Sequence, residues 1–358
     1  HVIFDEIHYL SDEERGTVWE ESIIFMPDHM RILGLSATIP NASELASWIS
    51  EIKNHEVVVI RKWKRSVPLK HFLYEKKLGR TTIPKIIEYL EAKEREYGES
   101  KYRIRFEPTT HLDLIRHIGR NGQPCLYFVF SRKLCEDMAY ELSLQHDYLS
   151  PPEKEQVEKI VEQMISDYGL SEIKNVQKLK TLLLKGIGYH HAGLLPGAKE
   201  IVENLFAHNL IRILYATETF AVGINYPVRT VCFDTPTKFD GVSFRPLKTL
   251  EYFQMAGRAG RRGIDEVGYV YMLVDLNRFR PEEYPSTDET HIERLESQFS
   301  LSYNAVLNLK KNYVDSEIEL ILNRNFATFQ ARLLHKKYRE ELAEMQQTVK
   351  QQTTNVCP

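Results

Sequence analysis

VIFDEIH, residues 2–8, is a short run of β-branched and aromatic side chains that stops on two carboxylates, Asp5 and Glu6. ILGLSAT, residues 32–38, repeats the pattern and stops on Ser36-Ala37-Thr38. EVVVI, residues 56–60, reads as a third run of the same kind. Short apolar runs separated by helical stretches are expected of strands in a parallel sheet covered on both faces. The stretch between the first two runs predicts a helix over 13–25, with Trp19, Ile23 and Met26 on one face. In such sheets, ligands bind beyond the carboxyl ends of the strands. The residues that end each run are therefore the first candidates for chemistry.

The same grammar returns after residue 109. PCLYFVF (124–130) reads as a strand, and Ser131 as the N-cap of a helix that places Cys135, Met138, Ala139 and Leu142 on one face. Val157, Ile160, Val161, Met164 and Ile165 mark another helix, and strands are expected at 211–215, 230–234 and 268–274. Between the two patterns, residues 63–108 are dense in charge and punctuated by Pro68, Gly79, Pro84, Gly98 and Pro108. They predict a linker region with one helix near 82–97. After about 290 the pattern is helical, with Phe326, Phe329, Leu333, Tyr338, Leu342 and Met345 at roughly helical spacing. The expected organisation is 1–62, 63–108, 109–285 and 286–358.

With 358 residues and a hydrophobic fraction of 42%, the chain can build two or three cored domains. A net charge of −3 excludes a generic polycation, so nucleic acid would have to be met by a local groove. Cys125, Cys135, Cys232 and Cys357 form no CxxC pair, which suits a reduced compartment, with the cytoplasm as the default location and the nucleus as the eukaryotic alternative. No apolar run is long enough to span a bilayer. The chain has no initiator Met, opens inside an expected core strand and closes on Val356-Cys357-Pro358, and so reads as a piece of a longer protein.

Several segments carry candidate chemistry, each with a plainer alternative. QMAGRAGRRG (254–263) sets Gln254, Arg258, Arg261 and Arg262 among small residues. Guanidinium forks bind phosphate bidentately, and positions 258 and 261 share a face if this is a helical turn; the plain reading is a solvated basic turn. At Asp5-Glu6, one carboxylate can hold Mg²⁺ through water and the other can orient or deprotonate an attacking water. Their alternative role is to cap the following helix. His8 can sense a phosphate or bridge to another element. In ATETFAVGINYP (216–227), Thr217 and Thr219 are hydroxyl donors, Gly223 permits close backbone approach, and Asn225 can bond a ribose or a catalytic group. The alternative is a polar loop. YHHAGLLPG (189–197) has a histidine pair without acidic or cysteine partners at ligand spacing, which favours backbone contact to a polynucleotide near Gly193 over a metal site. In KFDGVSFR (238–245), Asp240-Gly241 predicts a two-residue hairpin turn. Phe239 and Phe244 flank it, either as base-stacking groups or as a structural cross-strand pair.

Taken in order, DEIH (5–8), SAT (36–38), FVFSR (128–132), YHHAGLLP (189–196), ATETFAVGIN (216–225) and QMAGRAGRRG (254–263) match motifs II to VI of superfamily-2 helicases. The chain resembles the superkiller-type, exosome-associated DExH-box RNA helicases along nearly its whole length. PLKHFLYE (68–75), KFDGVSFRPL (238–247) and SLSYNAVLNL (300–309) look like that branch in particular. The resemblance implies an α/β fold of two RecA-like parallel-sheet lobes, the first truncated, followed by an α-helical segment from a winged-helix region. It implies ATP hydrolysis between the lobes and 3′-to-5′ movement on single-stranded or partly duplex RNA, in RNA decay or processing beside an exosome-like nuclease. In that frame Asp5 binds Mg²⁺ and Glu6 is the base, while Ser36 and Thr38 couple hydrolysis to movement. Gln254, Arg258 and Arg261 meet the nucleotide, with Arg261 as the arginine finger; His8, Gly223 and Asn225 also line its site. Ser131, Arg132, His191, Gly193 and Thr217 lie along the RNA, with Phe239 and Phe244 on the hairpin. The sequence departs from the family pattern in lacking a GxxxxGK[ST] phosphate loop. The whole protein is thus expected to be an ATPase and these residues alone to turn over little. A DNA-repair helicase of the same superfamily and an inactive RNA-binding scaffold are the rival readings.

Overall fold

A computed structural model describes residues 1–12, 15–62, 65–97, 105–220, 226–300 and 303–354. The chain forms two compact units, one from 1–62 with 290–358 and one from 63–289.

In the first unit, β1 (Val2–Phe4) and β2 (Ile32–Gly34) pair in parallel, with Ile3 opposite Leu33. The helix between them is Gly16–Phe25, and a second helix follows at Ala42–Lys53. Phe4, Leu10, Ile23, Trp48 and Ile49 share a core with Leu295, Phe326 and Phe329 from the late part of the chain. That packing is pinned by hydrogen bonds of buried and half-buried polar groups. The Asn41 amide donates to Leu295 O (2.9 Å) and accepts from Leu295 N (2.8 Å). Trp48 Nε1 donates to Arg324 O at 2.8 Å. The fully buried Glu20 carboxylate accepts from the Ser297 hydroxyl and from Phe326 N, capping the helix Phe326–Thr354. Leu295, Phe326 and Phe329, from the stretch 286–358 that the sequence marks as helical, thus take part in the core of the first unit. The EVVVI run forms no strand. Val58 and Ile60 are 71% and 93% exposed, and no described strand lies alongside to complete their hydrogen bonds.

The second unit is built on a seven-stranded sheet. Its strands are β3 (Leu69–Glu75), β4 (Gly79–Thr81), β5 (Cys125–Phe128), β6 (Ile187–His190), β7 (Ile213–Ala216), β8 (Thr230–Phe233) and β11 (Gly268–Leu273). A separate hairpin holds β9 (Thr237–Phe239) and β10 (Phe244–Pro246). The sheet order is β4-β3-β11-β8-β5-β7-β6, and every pairing is parallel except β3 with β4. The central strands β5 and β7 are buried end to end, which is why they read as continuous apolar runs. Helices Arg132–Gln145, Pro151–Asp167, Lys174–Leu183 and Pro196–Ala207 follow in the crossovers. Two start signals are visible in the bonds. Ser131 Oγ accepts from Leu134 N, and Glu153 reaches back to Ser150 N at 2.8 Å beneath the proline-opened helix Pro151–Asp167.

Residues 63–108, expected to be a linker region, carry β3 into the sheet beside β11 and the helix Ile83–Tyr97 onto it, where Ile86 packs with Val274 and Leu276. The hairpin turn also differs from expectation. Phe239 pairs with Phe244, so the turn spans Asp240–Ser243 rather than two residues. Asp240 Oδ1 accepts from Val242 N and Ser243 N, an Asx arrangement that fixes the longer loop.

Candidate functional site

Asp5 and Glu6 leave β1 at its carboxyl end, and Glu6 sits in left-handed backbone (φ 54°, ψ 45°). A non-glycine residue pays for that conformation, and such strain collects at working sites. Glu6 N donates to Asp5 Oδ1 at 3.0 Å, tying the two acids into one turn. His8 is buried, with Nδ1 3.1 Å from Ser36 Oγ and 3.3 Å from Glu6 Oε2. Burial brings its pKa down to about 4, partly opposed by the Asp5 charge, so the ring is neutral at pH 7. Backbone bonds continue the link: Leu35 N donates to Phe4 O (2.8 Å) and Ile7 N to Leu35 O (2.9 Å). The His8 ring is shielded from solvent and lies between Glu6 and Ser36. Thr38 is exposed beside it.

Gln254 lies on the helix Thr249–Ala256. That helix ends before Arg258, so Arg258 and Arg261 do not share a helical face as their spacing suggested. Instead, Val228 N donates to Arg258 O at 2.9 Å, and Gly260 N returns to Val228 O at 2.7 Å. Arg65 donates to the Gly257 carbonyl at 3.0 Å. The small residues of this segment serve chain packing. Ala256 and Ala259 are fully buried, and a Cβ on Gly260 would lie 2.5 Å from Val67 Cγ1. Arg261 folds onto Asp265: Nε donates to Oδ2 (2.8 Å), Nη2 to Oδ1 (3.0 Å), and the backbone N–H of Arg261 to Oδ2 (3.0 Å). The pair raises the Arg261 pKa and depresses that of Asp265. Arg262 is exposed.

Candidate nucleic-acid residues of the second unit follow the carboxyl ends of neighbouring strands β5, β7 and β6. Ser131 caps its helix, and Arg132 opens it, exposed. A Cβ on Gly193 would touch Arg132 Cδ at 3.4 Å, so the arginine stem passes directly over that glycine. His191 is buried with both ring nitrogens engaged. Nδ1 accepts from Gly193 N at 3.1 Å, which places the proton on Nε2, donated to Glu136 at 3.0 Å. Through these two bonds the His191 ring holds the Gly193 turn. His190 is turned to Glu203 (2.8 Å), away from any shared ligand set with His191. Thr217 and Thr219 hydroxyls lie 3.0 Å apart beyond β7. Gly223 and Asn225 lie outside the described residues. On the hairpin, Phe239 and Phe244 are 52% and 77% exposed with ring centroids 5.4 Å apart. The flanking cations are committed: Arg245 forks onto Glu251 (2.9 and 2.7 Å), and Lys238 meets Glu218 and Glu251.

Residues 1–45 match the DEAD/DEAH box helicase family and residues 153–263 the Helicase conserved C-terminal domain. Superkiller complex protein 2 of Homo sapiens is 37% identical over 381 residues, covering 96% of this chain and 30% of that protein. Exosome RNA helicase MTR4 of Homo sapiens is 38% identical over 350 residues, covering 92% and 33%. ATP-dependent RNA helicase mtr4 of Schizosaccharomyces pombe is 36% identical over 376 residues, covering 97% and 33%. The chain is homologous to the superkiller and MTR4 exosome RNA helicases. It spans about a third of the length of these curated relatives. Both family matches include site segments described above, the acidic pair with Ser36 and Thr38 in one and Gln254 to Arg261 in the other. The parallel-dominated sheet of the second unit accords with a RecA-like helicase lobe.

Asp5 suits Mg²⁺ by its chemistry. Magnesium takes hard oxygen donors and is held by one or two carboxylates plus substrate phosphates, so it needs no cage of protein ligands. Asp5 is exposed, with one carboxylate oxygen accepting from Glu6 N. Among the described residues, no three His, Cys, Asp or Glu side chains gather around a common point, and no helix is long and apolar enough to cross a membrane. Asp265 and Glu136 stand out in no sequence motif. Asp265 lies four residues beyond Arg261, the separation of a local ion pair, and that was its only signal.

Proposed function

We propose that the protein carrying this chain is an ATP-dependent RNA helicase that moves 3′-to-5′ on single-stranded or partly duplex RNA. Its place is RNA decay or processing beside an exosome-like nuclease, in the cytoplasm or, in a eukaryote, the nucleus. The observation that carries the reading is the buried, neutral His8, which joins Glu6 to Ser36 within a chain homologous to RNA helicases. A hydrolytic carboxylate and the segment that would report its state share one side chain.

In this reading Asp5 holds Mg²⁺, which when bound neutralises charge on the phosphates. Glu6 accepts the proton of the attacking water. Gln254 seats the nucleotide, and Arg258 and Arg261 place positive charge where negative charge develops on the transferred phosphoryl group. Gly223 and Asn225 are assigned to the nucleotide as well. Ser36 and Thr38 pass the change to the RNA-gripping residues: Ser131, Arg132, Gly193 and Thr217. Phe239 and Phe244 are exposed enough to stack on bases at a duplex junction. A grip made mainly on phosphates tolerates any sequence and weakens with salt.

The test is strand separation by the full-length protein on matched RNA and DNA duplexes with a 3′ or a 5′ single-stranded tail. Unwinding of the 3′-tailed RNA duplex, dependent on ATP, is expected. Preference for DNA, or for the 5′ tail, would overturn the substrate or the polarity respectively.

A further inference from the structure

Arg261 is gripped along one edge only. A guanidinium offers two bidentate edges, Nε with one Nη, and the pair of Nη groups at the end. Asp265 takes the first edge through Nε and Nη2. Nη1 makes no hydrogen bond among the described residues, so the end of the fork stays open for a second bidentate acceptor. The grip is rigid for three reasons. The Asp265 side chain is 2% exposed, its carboxylate also accepts from the Arg261 backbone N–H, and Asp265 N donates back to Arg261 O at 2.9 Å. One turn of chain thus closes on itself around the ion pair.

The charge arrangement leaves Arg261 attractive to an anion. Asp265 Oδ1 also lies 3.8 Å from Arg229 Nη1, so one carboxylate is shared between two guanidinium groups and the cluster carries a net positive charge. The depressed pKa of Asp265 keeps its carboxylate ionised throughout the neutral range. A carboxylate that neutralised Arg261 alone would compete with phosphate. One that is shared, buried and bound side-on fixes the direction of the fork instead.

We propose that Asp265 is the positioning residue for Arg261, holding its side edge so that the open end meets a phosphate oxygen of the bound nucleotide. This rests on the reading of Arg261 as a phosphate-reaching arginine. Asp265 touches no substrate; it acts by removing the rotational freedom that a long side chain would otherwise lose at the moment of reaction.

The test is RNA-stimulated ATP hydrolysis by the full-length protein and its Asp265→Asn, Arg261→Ala and doubly substituted variants, with ATP KM, RNA affinity and melting temperature recorded for each. Asp265→Asn keeps the size of the side chain and removes its charge. It is expected to lower kcat by about ten- to a hundredfold, the scale of losing orientation, with ATP KM and RNA affinity within about twofold. In the Arg261→Ala background it is expected to add no further loss. A kcat within about twofold of the parent in Asp265→Asn, while Arg261→Ala is impaired, would overturn the positioning role alone. So would a loss repeated in full in the Arg261→Ala background, which would mark a folding defect. An unimpaired Arg261→Ala would overturn the reading of Arg261 itself, and the proposal with it.

Discussion

Gly260→Ala, set against Gly263→Ala, asks whether the arginine-bearing loop is held by close chain packing. Both glycines have positive φ, 88° and 78°, so each alanine pays for backbone strain of ~1–2 kcal/mol. Their surroundings differ. A Cβ at 263 meets nothing within 4 Å, whereas one at 260 falls 2.5 Å from Val67 Cγ1, 2.9 Å from Val67 Cβ and 3.3 Å from Gly268 Cα. Val67 is buried and β-branched, so it has no flexible end to swing aside, and Gly268 is backbone. Overpacking of this kind costs ~1–3 kcal/mol. Gly260→Ala should therefore lose ~2–5 kcal/mol and Gly263→Ala only the ~1–2 kcal/mol of strain. For a unit of this size each kcal/mol lowers the melting temperature by roughly 2–4 °C. Thermal unfolding of both variants separates the two costs, and hydrolysis should fall further in Gly260→Ala because Arg261 is the next residue. Equal melting temperatures would refute the packing argument.

The buried His8 should titrate near 4 in the folded protein, as read by NMR of its ring protons. Because the folded pKa lies below the unfolded value of 6.5, the unfolded chain binds more protons between about pH 6.5 and 4. The first unit should lose stability as pH falls through that window, by up to ~1.4 kcal/mol per pH unit; titration at 6.5 would show the ring to be solvated. Phe239→Ala with Phe244→Ala should cost stability only on the scale of an exposed cross-strand pair, ~0.2–1 kcal/mol, while lowering RNA affinity by ~1–3 kcal/mol per base lost from stacking. Unchanged RNA binding would leave the pair structural. Glu20→Ala removes the acceptor for Phe326 N and should expose the start of the last helix to amide exchange. Persistent protection at Phe326 would place the cap elsewhere.

The sequence made the buried strands legible because their β-branched and aromatic runs need no partner to be recognised. β5, β7, β8 and β11 lie where such runs predict them. EVVVI has the same composition and forms no strand, since a strand exists only where another chain segment completes its ladder. Leu69–Glu75 shows the converse. Charge and proline around it hid a strand whose partner, Gly268–Leu273, is remote in sequence. At the candidate site, the parallel pattern marked Asp5-Glu6 and Ser36-Ala37-Thr38 as strand-end segments, while the contact of His8 with Ser36 is visible only in the structure. The arginine segment was not legible, because spacing suggested a helical turn while a bridge to Val228 and an ion pair to Asp265 set its path. The histidine pair showed a similar limit: nothing in YHHAGLLPG tells that both rings are buried, His190 against Glu203 and His191 against Glu136.

The most direct measurement is ATP hydrolysis by the full-length protein with and without single-stranded RNA, repeated with Glu6→Gln. Strong stimulation by RNA is expected, and loss of turnover in the variant with ATP binding retained. Hydrolysis undiminished in Glu6→Gln, or absent from the full-length protein with RNA present, would contradict the proposed function.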